Sequence, residues 1–489
     1  MKAKLIDQKG ALDFCAKEGE LITISKEVDP LYEIAGITKS FDGGPTVLFE
    51  NIKGYPKWRA VTNIFANRDR VARYFGTTKQ GLPKRILDAA RNPIQPKLVT
   101  QAPCQENVIT KDIDILNFLP VITHTKLDIG PVISGGVVMI SVPKEMGGGD
   151  QSFNLSFHRM NPNLGKDWVS MATLYSRHFL EVLYHHKSKK QEYPVTINIG
   201  MSPGLSVVAS GGDFPQIRPI GTDDLGMAGN LEGQAVEYCK AKTVDAYALA
   251  HADIVLEGKV IYTEKITEEL PSKAKGPGKT YFFPEQLGYE GLAAAGFKVQ
   301  ISAITYRNNP CYFTPLADAY ETNNLQVLIS EASIYNACKM TAPNIFTNCH
   351  VLDCMKGHMG VVIQCRVPHE QEQGISQNLI GAAFGAVRNL NFVIAVDEDV
   401  DIYDPSDVIW AMVRRTRAAE DVNIIKGAGI GNNFAKWSVD TTVPVAEKYR
   451  ALRPKFEPMD LSKWLTPEEI AKGLALMDDG AKSIARRRV

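Results

Sequence analysis

A strand-rich middle segment limits what this chain can fold into more than any other feature of the sequence. Between residues 112 and 315, four runs combine β-branched residues with turn residues at their ends, and they cover residues 135–142, 153–160, 195–199 and 298–305. The main stretch of helical character among them runs from Trp168 to Leu183. The pattern predicts a domain that is built on a β-sheet.

The segments on either side have mixed helix and strand patterns. Residues 1–111 form a predicted α/β unit, with a helix from Ala11 to Glu18 and strands at 21–24 and 45–50. Residues 316–455 alternate helix and strand, with a helix at 375–390, a buried strand at 391–396 and a further helix from Val408. This alternation is typical of a parallel sheet covered by helices, so we predict a second α/β domain.

The last segment, residues 456–489, carries the start signal of a helix. Thr466 is followed by Pro467 and, three residues after the threonine, by Glu469, which predicts a capping box with proline in the first turn. The helix is amphipathic and lies far along the chain from the last predicted sheet element. We therefore expect it to dock on a partner subunit of a homo-oligomer.

Length, charge and hydropathy limit the class of protein. At 489 residues the chain is too long for one ordinary core. Its 55 Lys and Arg residues balance its 55 Asp and Glu residues, which argues against a nucleic-acid or membrane-surface partner. The first residues lack an apolar signal core, and no apolar run is long enough to span a bilayer. We predict a cytoplasmic protein with no membrane partner.

A spaced set of polar groups within the apolar runs of the middle segment forms the candidate site. It comprises Asn154, Arg159, His178, Asp223–Asp224 and Glu285. An amide oxygen, an imidazole and a carboxylate together suit a hard metal ion. An arginine can orient a substrate carboxylate, and a glutamate among aromatic residues should have a raised pKa and donate a proton. Taken singly, the sequence favours a structural ion pair for Arg159 and a hydrogen-bonded core position for His178.

Several stretches of the chain, taken in order, resemble the UbiD family of decarboxylases that use prenylated FMN. The resemblance extends over nearly the whole chain. The branch acting on hydroxybenzoates such as protocatechuate or gallate is the most similar, and heteroaromatic acids are second. The stretches that carry the resemblance are Asn154-x-x-x-x-Arg159, Phe157 to Met160, Ser176-Arg177-His178, Asp224 to Gly229, Gln234 to Val236, Phe283 to Glu285 with Gly288-Tyr289, and Val396 to Ala411 followed by Arg415.

The resemblance implies an α/β (α+β) fold in which the middle segment is a split β-barrel that binds the flavin. It implies a divalent metal, usually manganese, that Asn154, His178 and Asp224 bridge to the flavin phosphate. It also implies a potassium ion near Ala209 and Ser210, with Arg415 close by. The flavin contacts expected from the resemblance are, besides Asn154, His178 and Ser210, the side chains of Ser156, Phe157, His158, Arg159, Arg177 and Arg366.

The family's chemistry depends on a Glu-Arg-Glu trio, and Arg159 and Glu285 match its arginine and its second glutamate. The resemblance implies that Arg159 orients the substrate carboxylate and polarises the flavin, whereas Glu285 protonates the carbon that loses carbon dioxide. The flavin would form a covalent adduct with the substrate and accept the electron density released. His158 should face the opposite side of the strand from Arg159 and receives no catalytic role.

The chain departs from the family pattern at two positions. Thr280 stands where the first glutamate of the trio is expected, so either Glu268 or Glu269 of the polar segment 262–284 pairs with Arg159, or that pair is absent. The metal carboxylate is Asp224 where the family commonly has glutamate, and the adjacent Asp223 is a competing ligand.

We therefore predict a reversible, non-oxidative decarboxylase of an aromatic (hydroxybenzoate-like) or heteroaromatic acid. We expect a homo-oligomer, either a dimer or a hexamer, and a flavin prenyltransferase that supplies the cofactor. Three alternatives remain open: a catalytic or accessory subunit of a multi-subunit aromatic carboxylase, a decarboxylase of an acrylic-type acid, and an ordinary FMN-dependent oxidoreductase.

Overall fold

The computed structural model describes residues 5–149, 151–173, 177–212, 214–276, 278–355, 357–428, 435–454, 456–457 and 459–477. Internal contacts divide the chain into two compact units, Met1–Ser333 and Ile334–Val489. The predicted division into four parts, at residues 111, 315 and 455, stays a prediction. Among the described residues, no helix is both long and apolar enough to span a membrane.

The helices of the described residues are numbered in chain order. They are α1 (Gln8–Lys17), α2 (Glu33–Ser40), α3 (Arg68–Tyr74), α4 (Leu82–Arg91), α5 (Ile115–Phe118), α6 (His178–Ser188), α7 (Pro203–Ser210), α8 (Asp224–Glu232), α9 (Tyr320–Thr341), α10 (Ile375–Ala386), α11 (Pro405–Arg415), α12 (Ala418–Asp421) and α13 (Pro467–Ala475).

The strands are numbered in the same way. They are β1 (Leu21–Ile24), β2 (Thr46–Phe49), β3 (Arg59–Thr62), β4 (Lys97–Leu98), β5 (Asn107–Ile109), β6 (Val137–Ser141), β7 (Phe153–Phe157), β8 (Met160–Asn161), β9 (Trp168–Ala172), β10 (Pro194–Ile199), β11 (Glu237–Lys240), β12 (Tyr247–Leu249), β13 (Ile254–Thr267), β14 (Tyr281–Pro284), β15 (Glu290–Leu292), β16 (Ala295–Tyr306), β17 (Cys311–Phe313), β18 (Phe346–His350), β19 (Gly360–Cys365), β20 (Phe392–Asp397), β21 (Val422–Lys426) and β22 (Ala435–Asp440).

The middle segment is built on an eight-stranded antiparallel sheet that curls toward closure. Its path runs β7-β6-β10-β13-β16-β9-β8, and β5 pairs with β16. The two end strands, β7 and β8, are consecutive in the chain and are joined by only His158 and Arg159. The sheet must therefore bend until its edges approach each other, and an isolated bridge between Ile133 and Met160 links them further. The α/β (α+β) class with a split β-barrel is confirmed.

The helix predicted from Trp168 to Leu183 is wrong in its first half. Residues 168–172 form strand β9, which pairs with β16, and helix α6 begins at His178. Trp168, Val169 and Met171 match strand propensity, and the long β16 provides an edge for them, so the pairing outweighs a weak helical period. Strand β13, the longest in the sheet, lies between β10 and β16 and was not predicted.

The first unit also contains a small four-stranded sheet. Its order is β1-β2-β3-β17, so the strand at 311–313 joins the N-terminal strands. The predicted helix at 11–18 and the strands at 21–24 and 45–50 are confirmed as α1, β1 and β2. The side chain of Asp7 caps α1 by accepting from the Gly10 amide over 2.8 Å, which explains the position of its start.

The second unit contains a five-stranded sheet of order β18-β19-β20-β22-β21. Strands β19, β20 and β22 are parallel, as predicted, whereas β18 and β21 add antiparallel edges. Its core packs Val362, Ile394 and Val396 of the sheet against Val408 and Ala411 of α11. The predicted capping box at Thr466 and Glu469 is confirmed at the start of α13, and the Leu474 side chain on that helix is 52% exposed.

Candidate active site

Arg159 lies at the junction of the two sheet edges, where its guanidinium binds two carboxylates. Nε and Nη2 donate to both oxygens of Glu268 over 3.1 and 2.8 Å, and Nη1 donates to Oε1 of Glu285 over 2.7 Å. Nη2 also donates to the Leu292 carbonyl over 2.8 Å. The Phe282 ring lies 4.7 Å from the guanidinium carbon. Arg159 is thus fixed in position by four residues that follow it by more than one hundred positions.

Glu268 is the buried member of this trio. It follows directly after β13, its side chain is fully buried, and the Ala294 amide donates to its Oε2 over 2.8 Å. Burial raises the pKa of Glu268, and the nearby Arg159 charge opposes that rise. Glu269 instead accepts a hydrogen bond from Thr280. Of the alternatives left open by the sequence, the structure pairs Arg159 with Glu268.

Glu285 is the exposed member of the trio, and it lies in the turn of the β14–β15 hairpin. Its side chain is 39% exposed rather than enclosed among aromatic residues as the sequence predicted. The Glu285 amide donates to the Tyr289 carbonyl over 2.8 Å, which holds the turn. A Cβ atom at Gly291 would lie 2.6 Å from Glu285 Cγ, so the glycine leaves the space that the glutamate side chain occupies.

A second polar cluster is formed by Asn154 on β7, His178 at the start of α6 and Asp224 at the start of α8. Asn154 Nδ2 lies 3.2 Å from Asp224 Oδ2 and 3.4 Å from His178 Nδ1. All three side chains are buried. The structure therefore brings together the three residues that the resemblance assigned to the metal.

The spacing of this cluster fits a hard divalent cation. Neighbouring ligands of an octahedral ion bound at about 2.1 Å are roughly 3 Å apart, which is close to the spacing observed. The amide of Asn154 presents its oxygen after a half-turn about its terminal bond. Asp223 is less suitable, because its Oδ2 accepts from the Gly226 amide as the N-cap of α8. Of the two aspartates, Asp224 is the one whose carboxylate meets Asn154.

Sequence reasoning missed Arg218, which contacts the same cluster. Its Nε donates to Asp224 Oδ1 over 2.7 Å and its Nη2 donates to Asp224 Oδ2, while a further bond reaches the Leu155 carbonyl over 2.8 Å. Arg218 is 1% exposed. A buried aspartate requires a counterion, so a basic residue six positions before Asp224 was the available signal.

The remaining predicted flavin contacts of the first unit lie at the end of β7, directly before α6 and at the end of α7. Ser156 Oγ lies 2.8 Å from His158 Nε2, and the His158 ring packs on Phe179, a set of contacts that Arg159 does not share. Arg177 approaches Gly212 just beyond α7, where a Cβ would lie 3.0 Å from its Nη1. The half-buried Phe157 ends β7. Ala209 is buried in the last turn of α7, and the Ser210 hydroxyl donates to the Leu325 carbonyl over 2.6 Å.

Two predicted site residues belong to the second compact unit. Arg366 Nε lies 3.5 Å from Glu398 Oε1, and its side chain is 64% exposed. Arg415 donates to both oxygens of Asp399 over 2.9 and 2.7 Å and lies 3.5 Å from Asp397. Their roles at the flavin and at potassium stay predictions.

A serine that has hydrolase-like spacing does not form a nucleophile. Gly200-Met-Ser202-Pro-Gly204 follows β10 and opens α7, which is the setting of a nucleophile elbow. Ser202 is 1% exposed, has an ordinary extended backbone, and donates its hydroxyl to Glu232. His251 pairs with Glu237 over 2.9 Å. The segment is a helix start stabilised by a glutamate.

The chemistry available at the Arg159 cluster is acid–base chemistry beside a bound anion. A fixed guanidinium can bind a carboxylate, and an adjacent carboxyl group can exchange a proton with the bound substrate. The Asn154 cluster supplies oxygen and imidazole ligands for a hard cation. This combination suits an enzyme that acts on a carboxylate and binds a hard cation.

Comparison with known proteins gives the family. The N-terminal, Rift-related and C-terminal domain models of 3-octaprenyl-4-hydroxybenzoate carboxy-lyase match residues 12–90, 97–318 and 323–432. Gallate decarboxylase from Lactiplantibacillus plantarum is 30% identical over 419 residues, which are 82% of this chain and 83% of that protein. The chain belongs to the UbiD family and is a carboxy-lyase.

Solved structures agree with this assignment. The apo 3,4-dihydroxybenzoic acid decarboxylase of Enterobacter cloacae has a TM-score of 0.85 at 28% identity and covers 95% of this chain and 99% of its own. The UbiD-class enzyme HmfF from Pelotomaculum thermopropionicum, solved in complex with prFMN, has a TM-score of 0.82 at 27% identity, with 95% and 99% covered.

Proposed function

We propose that this chain catalyses the reversible, non-oxidative decarboxylation of an aromatic acid, of hydroxybenzoate or heteroaromatic type, with prenylated FMN as cofactor. The observation that carries the proposal is the ion-paired trio Glu268–Arg159–Glu285. Relatives that are a gallate decarboxylase and a 3,4-dihydroxybenzoic acid decarboxylase support the substrate class. The complex of HmfF with prFMN supports the cofactor.

Arg159 has a limited number of hydrogen-bond donors left for a substrate. A guanidinium carries five N–H groups, and Glu268, Leu292 and Glu285 accept from four of them. One N–H of Nη1 is left without an acceptor among the described residues. A second becomes available when Glu285 turns away or is protonated. We infer that the substrate carboxylate competes with Glu285 for Nη1.

The two glutamates have different roles because their surroundings differ. Glu268 is fully buried and bound at both oxygens, so it keeps the Arg159 plane in one orientation. Glu285 is 39% exposed and bound through one oxygen, so it can release Arg159 and deliver a proton. The position of Glu285 in a hairpin turn leaves it the mobility that proton delivery requires.

The Asn154 cluster is suited to the phosphate end of the cofactor. Asn154, His178 and Asp224 would hold a manganese ion that bridges to the phosphate, and Arg177 would add positive charge. The carbonyls of Ala209 and Ser210 at the end of α7 would contribute to a potassium site, because the last turn of a helix leaves carbonyls without intrahelical partners. When bound, prenylated FMN supplies the electron sink for cleavage of the C–C bond.

The proposal also includes the source of the cofactor and the assembly of the chain. A flavin prenyltransferase would supply the cofactor in the cytoplasm, and the chain would form a homo-oligomer through its C-terminal segment. The complete trio in the structure weighs against a purely accessory subunit, because such a subunit has no use for a proton donor beside a fixed arginine. Decarboxylation of an acrylic-type acid is the remaining alternative, since Arg159 and Glu285 would serve it equally well.

The proposal is tested by co-expressing the chain with a flavin prenyltransferase. We expect the purified protein to show a flavin absorbance spectrum, the mass of prenylated FMN, and about one manganese ion per chain. A panel of hydroxybenzoic, furan, pyrrole and acrylic-type acids is then screened for carbon dioxide release. Folded protein that takes up neither flavin nor metal would overturn the cofactor assignment, and release from acrylic acids alone would overturn the substrate class.

A further inference from the structure

A histidine–aspartate pair outside the Glu-Arg-Glu trio lies beneath the hairpin that carries Glu285. Asp128 is fully buried and accepts four hydrogen bonds from within its own loop. Its Oδ2 accepts from the His124 amide over 2.7 Å and from His124 Nδ1 over 3.0 Å. Its Oδ1 accepts from the Thr125 amide over 3.0 Å and from the Thr125 hydroxyl over 2.7 Å. The imidazole is therefore held in one orientation with its proton on Nδ1.

The other ring nitrogen of this histidine lacks a hydrogen-bond partner within the described part of the chain. His124 Nε2 is buried and unpaired, and the whole side chain is only 3% exposed. A buried polar atom without a partner costs free energy. This imidazole is fixed through Nδ1, and its Nε2 is available to bind another group.

The pair contacts the hairpin β14–β15 at two points. The His124 ring packs edge-on against Phe283 with 5.6 Å between centroids, and the Ile129 amide donates to the Phe282 carbonyl over 2.8 Å. The same two phenylalanines flank the Arg159 guanidinium, at 4.7 and 5.8 Å. Movement of the His124 loop would therefore be transmitted to the rings that enclose Arg159.

Glu290, on the second strand of the hairpin, provides the matching group. Its Oε1 lies 3.5 Å from the Thr125 hydroxyl, and its Oε2 is buried without a partner among the residues described. Burial raises the pKa of Glu290, the charge of Asp128 raises it further, and His124 lowers it. Two buried acceptor atoms without a partner among the described residues, His124 Nε2 and Glu290 Oε2, thus occur on the two elements that meet at Phe283, where one donor between them would satisfy both.

We propose that His124, oriented by Asp128, is a positioning residue for the reaction. A buried water that donates to both His124 Nε2 and the Glu290 carboxylate would link the two residues and so hold the hairpin with Glu285 against Arg159. The hairpin carries three parts of the site, namely Glu285, the two phenylalanine rings and the Leu292 carbonyl. The catalytic part of this inference rests on the proposed function, whereas the structural part does not.

The structural part is tested by hydrogen–deuterium exchange of the purified protein. His124→Asn keeps a donor near the Nδ1 position and removes Nε2. We expect backbone exchange in residues 281–292 to become at least about 5-fold faster, with the rest of the chain unchanged. His251→Asn is the matched control, because His251 is also paired with a glutamate but lies outside the hairpin's contacts. Unchanged exchange in 281–292 would overturn the proposal.

The pairing itself is tested by a double-mutant cycle of His124→Asn with Glu290→Ala, read out on the same exchange rates. A paired arrangement predicts that the double variant exchanges no faster than either single variant. Independent, multiplied effects would contradict the pairing of these two residues. Because this measurement requires no turnover, it stands even if the chain acts on no aromatic acid.

The catalytic consequence is measured on cofactor-loaded enzyme with an acid that the wild type decarboxylates. We expect His124→Asn to lower kcat about 10- to 100-fold with KM within 3-fold, because the protonation step loses its alignment and binding does not. Protonation of the product carbon should become rate-limiting, which a larger solvent deuterium isotope effect on kcat would show. A higher KM at unchanged kcat would overturn the positioning role. Absence of turnover in the wild type would instead overturn the proposed function.

Discussion

Arg159 and Glu268 form a two-point ion pair at the place where the edges of the barrel sheet meet. The arginine connects β7 to β8, the glutamate follows β13 in the middle of the sheet, and the glutamate is fully buried. The closure of the sheet and the orientation of Arg159 are therefore one feature of the structure.

Glu268→Gln removes the negative charge that orients Arg159. We expect kcat/KM to fall on the order of 100-fold, because a misplaced catalytic group loses about that much. Glu269→Gln is the matched control: its carboxylate accepts from Thr280, so its activity should stay within about 3-fold of wild type. Steady-state kinetics on cofactor-loaded protein checks both. Equal losses of activity in the two variants would show that Glu268 has no special role in orienting Arg159.

Gly291→Ala places a methyl group against Glu285, the proposed proton donor. The added Cβ would lie 2.6 Å from Glu285 Cγ, so the glutamate must move. We expect a loss of kcat of about 10-fold or more with intact folding, as judged by the thermal transition. Gly381→Ala, at a helical position with open space around it, should leave kcat unchanged and add about 0.5–1 kcal/mol of stability. Full activity of Gly291→Ala would show that Glu285 need not occupy its observed place.

The two adjacent aspartates should differ in metal binding. Asp224→Asn weakens one of the three proposed ligands, and we expect bound manganese to fall well below one per chain by mass spectrometric metal analysis. Asp223→Asn keeps an N-cap of equal quality on α8 and should retain the metal. Should Asp224→Asn fail to fold because buried Arg218 loses its counterion, Asn154→Ala gives the same test. Metal loss in Asp223→Asn alone would reverse the assignment.

Glu321 should make stability depend on pH. Burial raises the pKa of this carboxyl to about 7 from its ordinary 4.5, while it accepts from the Asn63 and Phe65 amides. The folded state then holds a proton that the unfolded state has lost, so the free energy of unfolding falls as pH rises from 4.5 to 7. The fall is about 3 kcal/mol and stops above pH 7. Urea titrations at pH 5 and 7.5 should show it, and Glu321→Gln should remove most of it.

The C-terminal helix α13 should mediate assembly. Leu474 and Leu476 are 52% and 78% exposed, and both lie at the end of this helix. Replacing both with glutamate should reduce the native mass measured by light scattering, because charged groups would have to be buried in the interface. Lys472→Ala on the same helix serves as the control and should leave the mass unchanged. An unchanged mass in the double leucine variant would exclude this helix from the interface.

Local chemistry in the sequence was enough to locate much of the fold. The helix start at Thr466 follows from its capping box, and strands β1, β2, β10 and β20 follow from short β-branched runs with turn residues at their ends. The spaced motifs were enough to name Arg159, Glu285, Asn154, His178 and Asp224 as the candidate site, because their family pattern is read in order along the chain. The helix and strand inferences use residues within a few positions of one another, whereas the site inference uses the order of short motifs along the chain.

The rest depends on contacts between distant residues. Which acid pairs with Arg159 is a contact across 109 positions, and no local signal separates Glu268 from Glu269. Strand β9 forms because β16 offers it an edge, and Glu285 is exposed because a hairpin turn carries it. The proposed link between His124 and Glu290 also depends on distant contacts, because only folding buries the two unpaired atoms on neighbouring elements. Sequence patterns report which side chains are present, whereas burial and distance set which of them act together.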